Sequence, residues 1–173
     1  LNTVGTSMGR LVSQEYYFHE SVTWSKIASN KTSFRYLPQG SIFDAQGMSI
    51  FSKDEYFLDE ALLLLNSSVF EVFMRAISPS LSNESGQIKK MPVIRRDDNY
   101  LGLYNKIIEI SKIDYDSYET SFGFKSFEAG RLDSSDLKRS FLLYFKDWSD
   151  KIKEMMLLEE ANNKKLTSLY ELD

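Results

Sequence analysis

Residues 23–52 read TWSKIASNKTSFRYLPQGSIFDAQGMSIFS, and the fold turns on how this stretch is taken. Aromatic and β-branched side chains alternate with polar ones through Ile27. The pattern then breaks at Ser29-Asn30-Lys31, resumes at Ser33-Phe34-Arg35-Tyr36, and is punctuated by Pro38-Gln39-Gly40 and Ala45-Gln46-Gly47. A period of two bounded by turn residues predicts strands joined by short connections. Together with the upstream YYFHESV, it makes residues 1–52 an antiparallel β region. Val22, Trp24 and Lys26 then share one face and Thr23, Ser25 and Ile27 the other, because successive side chains point to opposite sides of a sheet.

Beyond Lys53 the period lengthens. DEYFLDEALLLLNSSVFEVFMRAIS predicts two helices separated at Asn66-Ser67-Ser68, with Val69, Phe70, Val72, Phe73, Ala76 and Ile77 forming the apolar face of the second. The polar run SPSLSNESGQIKKMPVI is expected to end in a strand over residues 87–94 that returns to the sheet, since Pro92 disfavours helix at Met91. A further helix is predicted over residues 100–113, with Asp114 capping a short turn through YDSYETSF. From Leu137 onward Phe141, Tyr144, Trp148, Ile152 and Met155 recur at spacings of three and four, and Asp147 with Lys151 and Glu160 with Lys164 lie one turn apart. The expected architecture is therefore α+β: a mixed α/β domain over residues 1–98, then a helical C-terminal region over 99–173 dominated by one long amphipathic helix.

Composition sets the outer bounds. With 173 residues, 42% of them hydrophobic, the chain can bury a core. Its 21 basic and 25 acidic side chains leave a net charge of −4, so any surface for a polyanion must be a local patch. The absence of cysteine excludes disulfides, zinc-thiolate sites and thiol catalysis, and suits a reducing, cytoplasmic setting. The apolar run at residues 61–65 is far shorter than the roughly 20 residues of a membrane helix, so no membrane partner is expected. A start at Leu1 and a stop at SLYELD, inside a helical pattern, suggest a piece of a longer parent.

Few constellations carry chemistry. Gly5-Thr6-Ser7-Met8-Gly9 matches the nucleophile-elbow spacing but has only four residues before it, too few for the strand that motif needs. His19 is the single histidine, and without other strong ligands nearby it reads as structural. The acidic pairs Asp54-Glu55, Asp59-Glu60 and Asp97-Asp98 read as solvated. No catalytic residue, metal ligand or cofactor-binding residue is assigned.

The basic residues are more informative. Lys26, Lys31 and Arg35 gather on the predicted hairpin, and Lys89, Lys90, Arg95 and Arg96 flank the predicted returning strand. If those strands adjoin, they form a basic face interleaved with Asn30, Thr32, Ser33 and Tyr36, suited to phosphate contacts and to polar readout of base edges. From the residues alone the same side chains fit ordinary solvated strand edges that deter aggregation equally well; read as a double-stranded-DNA surface, the candidate contacts are Lys26, Asn30, Lys31, Ser33 and Arg35, with Lys89 and Lys90 as outer phosphate clamps. Trp24, Phe34, Phe70 and Phe73 are assigned to the core rather than to base stacking.

The segments VTWSKIASNKTSFRYLPQGSIFDAQGMSIFS, LLLLNSSVFEVFMRAISPS, SGQIKKMPVI and DYDSYETSF, in that order, resemble the C-terminal target-recognition region of adenine-specific DNA methyltransferases of the BREX phage-defence type (PglX-like). The LNS, GQI and P-V-I order is also similar to target-recognition domains of type I restriction specificity subunits. The resemblance implies a bacterial restriction-modification or defence role. The chain would read DNA beside a catalytic domain of the same parent chain, which binds S-adenosylmethionine and methylates adenine. That parent's Asn-Pro-Pro-Tyr-type and Gly-rich motifs are absent here, so the fragment itself is expected to be non-catalytic and free of cofactor. Two rival readings follow. One is a specificity subunit working with an enzyme in trans. The other is an interaction module in which Phe141, Trp148 and Ile152 dock a helix, including by self-association, and no DNA is touched.

Overall fold

The computed structural model describes residues 13–28, 31–44, 46–54, 56–77, 83–94, 101–127 and 136–172. The Gly5–Gly9 motif, Asn30, Arg95, Arg96 and the Asp97-Asp98 pair lie outside them. The fold is α+β, with a small antiparallel sheet and, among the described residues, five α-helices, the last of them long. The chain divides into two compact units. One comprises residues up to Asn66 together with Phe70–Pro92, and the other Ser67–Val69 with residues from Val93 onward.

In the first unit the sheet is built on β1 (Ser21–Ser25), flanked by β2 (Arg35–Leu37) and β3 (Gly47–Ile50) in the order β2-β1-β3. Both pairings are antiparallel: Val22 opposes Tyr36 on one side and Ile50 on the other, and Trp24 opposes Met48. The predicted alternation holds, with Val22 and Trp24 buried, Thr23 half-buried and Ser25 exposed. Two turns set the register. Gly40 has φ +97°, a conformation costly for residues with a Cβ, and its N–H donates to Phe18 O at 3.1 Å while Phe18 N–H donates to Ser41 O at 2.9 Å. The Asp44 carboxylate accepts the N–H groups of Gln46 (2.8 Å) and Gly47 (2.7 Å) just before β3, which holds its pKa below the usual carboxylate range.

α1 (Phe57–Leu65) buries Leu58 and the whole Ala61–Leu65 run, so the apolar pentad is core. Asp59 and Glu60 in its first turn favour the positive end of the helix dipole. Asn66 terminates the helix as the LNS segment predicts, and α2 (Ser68–Ile77) begins two residues later. The apolar face of α2 is rotated from the predicted one. Val69, Phe70 and Met74 are buried, Phe73 and Ile77 are half-buried, and Val72 and Ala76 face water. Positions 69, 70, 73, 74 and 77 make a contiguous helical stripe, whereas 72 and 76 lie to its side.

The predicted strand over residues 87–94 is not formed. Its first part is a short helix, α3 (Ser85–Ile88), followed by a turn and bend through Met91. Gln87 explains the change, because its side chain accepts from Glu84 N–H at 2.9 Å while the Glu84 side chain accepts in return from the backbone at Gln87. This reciprocal capping box starts a helix where a strand was expected. Ile88 and Met91, both buried, anchor the turn.

The second unit contains α4 (Leu101–Asp116) and α5 (Leu137–Leu169). α4 runs three residues past its predicted end, so Asp114 is helical rather than a cap, and its carbonyl accepts from Ser117 N–H (3.1 Å) and Oγ (2.7 Å). The following turn is organised by Asp116, which accepts from Ser121 Oγ at 2.5 Å, while Ser121 Oγ accepts from Gly123 N–H at 3.0 Å. A Cβ at Gly123 would overlap the Asp116 carboxylate, which accounts for glycine there. α5 is one continuous 33-residue helix. Asp136 caps it by accepting from Lys138 N–H (2.9 Å) and Arg139 N–H (3.3 Å). The predicted i,i+4 pairs form, Lys151 with Asp147 and Lys164 with Glu160 at 2.7 Å.

No helix among the described residues is long and apolar enough to cross a membrane.

Candidate nucleic-acid interface

The site is an extended segment laid against the core of the first unit. From Lys31 to Arg35 burial alternates residue by residue: Lys31, Ser33 and Arg35 are exposed, whereas Thr32 and Phe34 are buried. Three of the sequence-predicted contacts therefore share one outward face, although only Arg35 belongs to a strand. The inward side is held firmly. Phe34 packs edge-on against Phe70 at 5.0 Å and tilted against Trp24 at 5.5 Å. Trp24, Phe34 and Phe70 are thus core, as assigned, with Phe73 half-buried beside them in sequence.

Asn66 fixes the backbone of the same segment. Its Oδ1 accepts from Phe34 N–H at 3.1 Å, and its Nδ2 donates to Phe34 O and to Leu62 O, both at 3.0 Å. One side chain thereby satisfies both backbone groups of Phe34, which β2 begins too late to pair. The asparagine of the LNS motif is a clamp on the presented segment.

The cations on this unit differ in their partners. Lys31 Nζ lies 2.6 Å from Glu71 Oε1 on α2, and Lys26 Nζ lies 3.2 Å from Glu84 Oε1 at the start of α3. Arg35, Lys89 and Lys90 make no ion pair with another described residue. Lys26 and the chain before α3 are joined by more than charge. Asn83 N–H donates to Lys26 O at 2.8 Å, and Trp24 Nε1 donates to Asn83 O at 2.8 Å. This stitching, rather than the expected strand pairing, attaches the Lys89-Lys90 segment to the end of β1. Lys89 and Lys90 are exposed between the buried anchors Ile88 and Met91, which directs both ammonium groups to water.

Tyr36 borders the face. Its hydroxyl donates to Glu20 Oε2 at 2.9 Å, and burial, that hydrogen bond and the charges of Glu20 and Asp59 push its pKa up to about 12. It stays a neutral donor at physiological pH. His19 is an exposed turn residue whose Nδ1 lies 3.0 Å from Tyr17 O. No cluster of three potential metal ligands occurs among the described residues.

Sequence reasoning missed Glu71 and Glu84 because each meets its lysine across a long stretch of chain, where no local pattern signals the pairing. It also missed Arg75, exposed one helical turn beyond Glu71 and therefore on the same side of α2. The Glu71–Arg75 spacing was visible, but its relevance rests on Lys31 reaching Glu71.

No protein-family model matches the chain. It is 36% identical over 117 residues, 66% of its length, to the adenine-specific methyltransferase BrxX of Escherichia coli O9:H4 (strain HS). Over 181 aligned residues, covering 99% of the chain, it is 28% identical to the adenine-specific methyltransferase PglX of Lacticaseibacillus casei (strain Zhang). The chain spans 10% of the first relative and 15% of the second. It is homologous, at modest identity, to these adenine-specific methyltransferases.

Proposed function

We propose that the chain is the target-recognition part of an adenine-specific DNA methyltransferase and that the outward face of Lys31, Ser33 and Arg35, with Lys26, Lys89 and Lys90, contacts duplex DNA. The observation that carries this reading is the alternation at residues 31–35, which presents polar and basic side chains in a row from a segment clamped by Asn66. A rigid extended segment loses little conformational entropy on binding, so its contacts translate efficiently into affinity. Lys and Arg on such a face neutralise phosphates, and hydroxyl groups reach base edges. Homology to adenine-specific methyltransferases supplies a reason for DNA to be the polyanion.

Methyl transfer belongs, in this reading, to another part of the parent chain, where S-adenosylmethionine is held. The described residues do not fit that cofactor. The described sheet is antiparallel throughout and offers no glycine-rich turn from a strand into a helix, and the sequence has no Pro-Pro pair. The role of this chain is to position the duplex so that a neighbouring catalytic domain extracts the adenine.

Glu71 and Glu84 make the proposal testable in two directions. Exposed ion pairs contribute only about 0–1 kcal/mol, so phosphate competes readily for their lysines. The chain is titrated with duplex DNA at several salt concentrations. Lys31→Ala is expected to weaken binding to all sequences and flatten the slope of log K against log salt by about 0.9. Glu71→Gln, which frees Lys31, is expected to tighten it. If changing Lys26, Lys31 and Arg35 together to Ala leaves affinity and salt dependence unchanged, the proposal fails.

A further inference from the structure

Along the first two-thirds of α5 one stripe of apolar side chains faces water: Leu137 (79% exposed), Phe141 (57%), Phe145 (64%), Ile152 (56%) and Met156 (64%). Spacings of four, with one step of seven bridging the half-buried Trp148, keep these residues on one side of the helix. At about 1.5 Å per residue the stripe is roughly 30 Å long. A contiguous apolar surface of this kind marks an interface.

Charge along the helix says what covers it. Residues 137–146 carry Lys138, Arg139 and Lys146 and no acidic side chain, whereas residues 154–163 carry Glu154, Glu159 and Glu160 and no basic one. Lys138, Lys146 and Glu159 make no ion pair with another described residue. A helix that is basic at one end of its apolar stripe and acidic at the other is complementary to itself run antiparallel. The apolar spacing agrees with the charges. A two-fold axis between Trp148 and Ser149 sets Phe141 of one copy against Met156 of the other, Phe145 against Ile152, and Lys138 against Glu159, each contact occurring twice.

We infer that the α5 stripe is the interface of an antiparallel, two-fold dimer of this chain, with its register set by the Lys138–Glu159 pair. The apolar contacts supply affinity, including a favourable sulfur–aromatic contact between Met156 and Phe141. The flanking charges set orientation and register, as they do beside coiled-coil seams. The parallel arrangement is disfavoured because it brings like-charged ends together.

The test is a charge exchange read by sedimentation equilibrium of the full chain across a range of concentrations, with helix content followed by circular dichroism. The unaltered chain is expected to dimerise. Lys138→Glu is expected to raise the dimer dissociation constant about tenfold without loss of helix, since two attractive pairs become repulsive, and Glu159→Lys to do the same. The double variant carrying both changes is expected to recover most of the loss, because each new glutamate then faces a new lysine. A chain that stays monomeric at every concentration overturns the proposal and assigns the stripe to a different protein surface. A dimer indifferent to Lys138→Glu, or one not rescued by the double change, overturns the antiparallel register.

Discussion

Trp24, Phe34 and Phe70 of the sheet-bearing unit close on one another and leave the solvent, while Phe141, Phe145 and Ile152 of the helical unit stay more than half exposed. Both groups sit in amphipathic patterns of the same quality, Trp24 and Phe34 at the period of two, Phe70 and the α5 residues at helical spacing. The difference lies in what faces them. β1 lies between two strands and beneath α1, whereas Leu137, Phe141, Phe145, Ile152 and Met156 on the apolar stripe of α5 each stay more than half exposed, and within that helix only Ser140, Asn162 and Leu166 are buried. An amphipathic period establishes that a face seeks a partner, but it does not say whether the partner lies in the same chain.

The largest effect that would break this contrast concerns Trp24. Trp24→Ala is expected to lower stability by about 3–5 kcal/mol, through lost burial, the cavity left beside Phe34, and the orphaned Asn83 carbonyl. Phe141→Ala, measured at a concentration where the chain is monomeric, is expected to change stability by under about 0.5 kcal/mol. Chemical denaturation of both variants decides the matter, and equal losses would mean that the exposed stripe is as structural as the core.

Next in size is Asn66→Ala. It removes both partners of the Phe34 backbone and is expected to cost about 1–3 kcal/mol, with faster amide exchange at Phe34. Slow exchange retained at Phe34 would show that the buried aromatic ring alone fixes the segment, sharpening the view of how residues 31–35 are held.

The smallest effect is the titration of Tyr36. Because its pKa is raised above the ordinary value of 10.0 to about 12, the neutral hydroxyl stabilises the folded state below pH 10. That contribution is lost as the pH rises through the folded value. Ultraviolet titration should show one tyrosine ionising late, and Glu20→Gln should bring it back toward the ordinary value. A tyrosine unmoved by that change would place the cause in burial and the charge of Asp59.

Much of the fold was legible because its signals are local. The alternation at Ser21–Ser25, the break at Asn66 and the unbroken helical period from Leu137 each depend on residues within a few positions of one another. The failures are also specific. Residues 87–94 carry Lys89, Lys90 and Pro92 in a pattern compatible with an edge strand, yet Glu84, upstream of that window, forms a capping box with its first residue Gln87 and starts a helix. Val72 and Ala76 looked like core because α2 is apolar on more than one side. Only packing chose Met74 in their place.

The candidate site divides along the same line. That Lys31, Ser33 and Arg35 share a face follows from the period of two alone, whereas Thr32, expected on the basic face, is turned inward beside Phe34 and buried. The strand-like alternation of Val22 and Trp24, the helical spacing of the α5 stripe and the opposite charges at its ends are equally properties of the sequence. The tertiary structure decided which partners those groups meet. Glu71 holds Lys31, Glu84 holds Lys26, Asn66 clamps Phe34, and Asn83 ties α3 to β1. The physical reason is range. Backbone periodicity is fixed by sterics between neighbouring residues, whereas ion pairs and side-chain clamps form between groups tens of positions apart, and only the folded core brings those together.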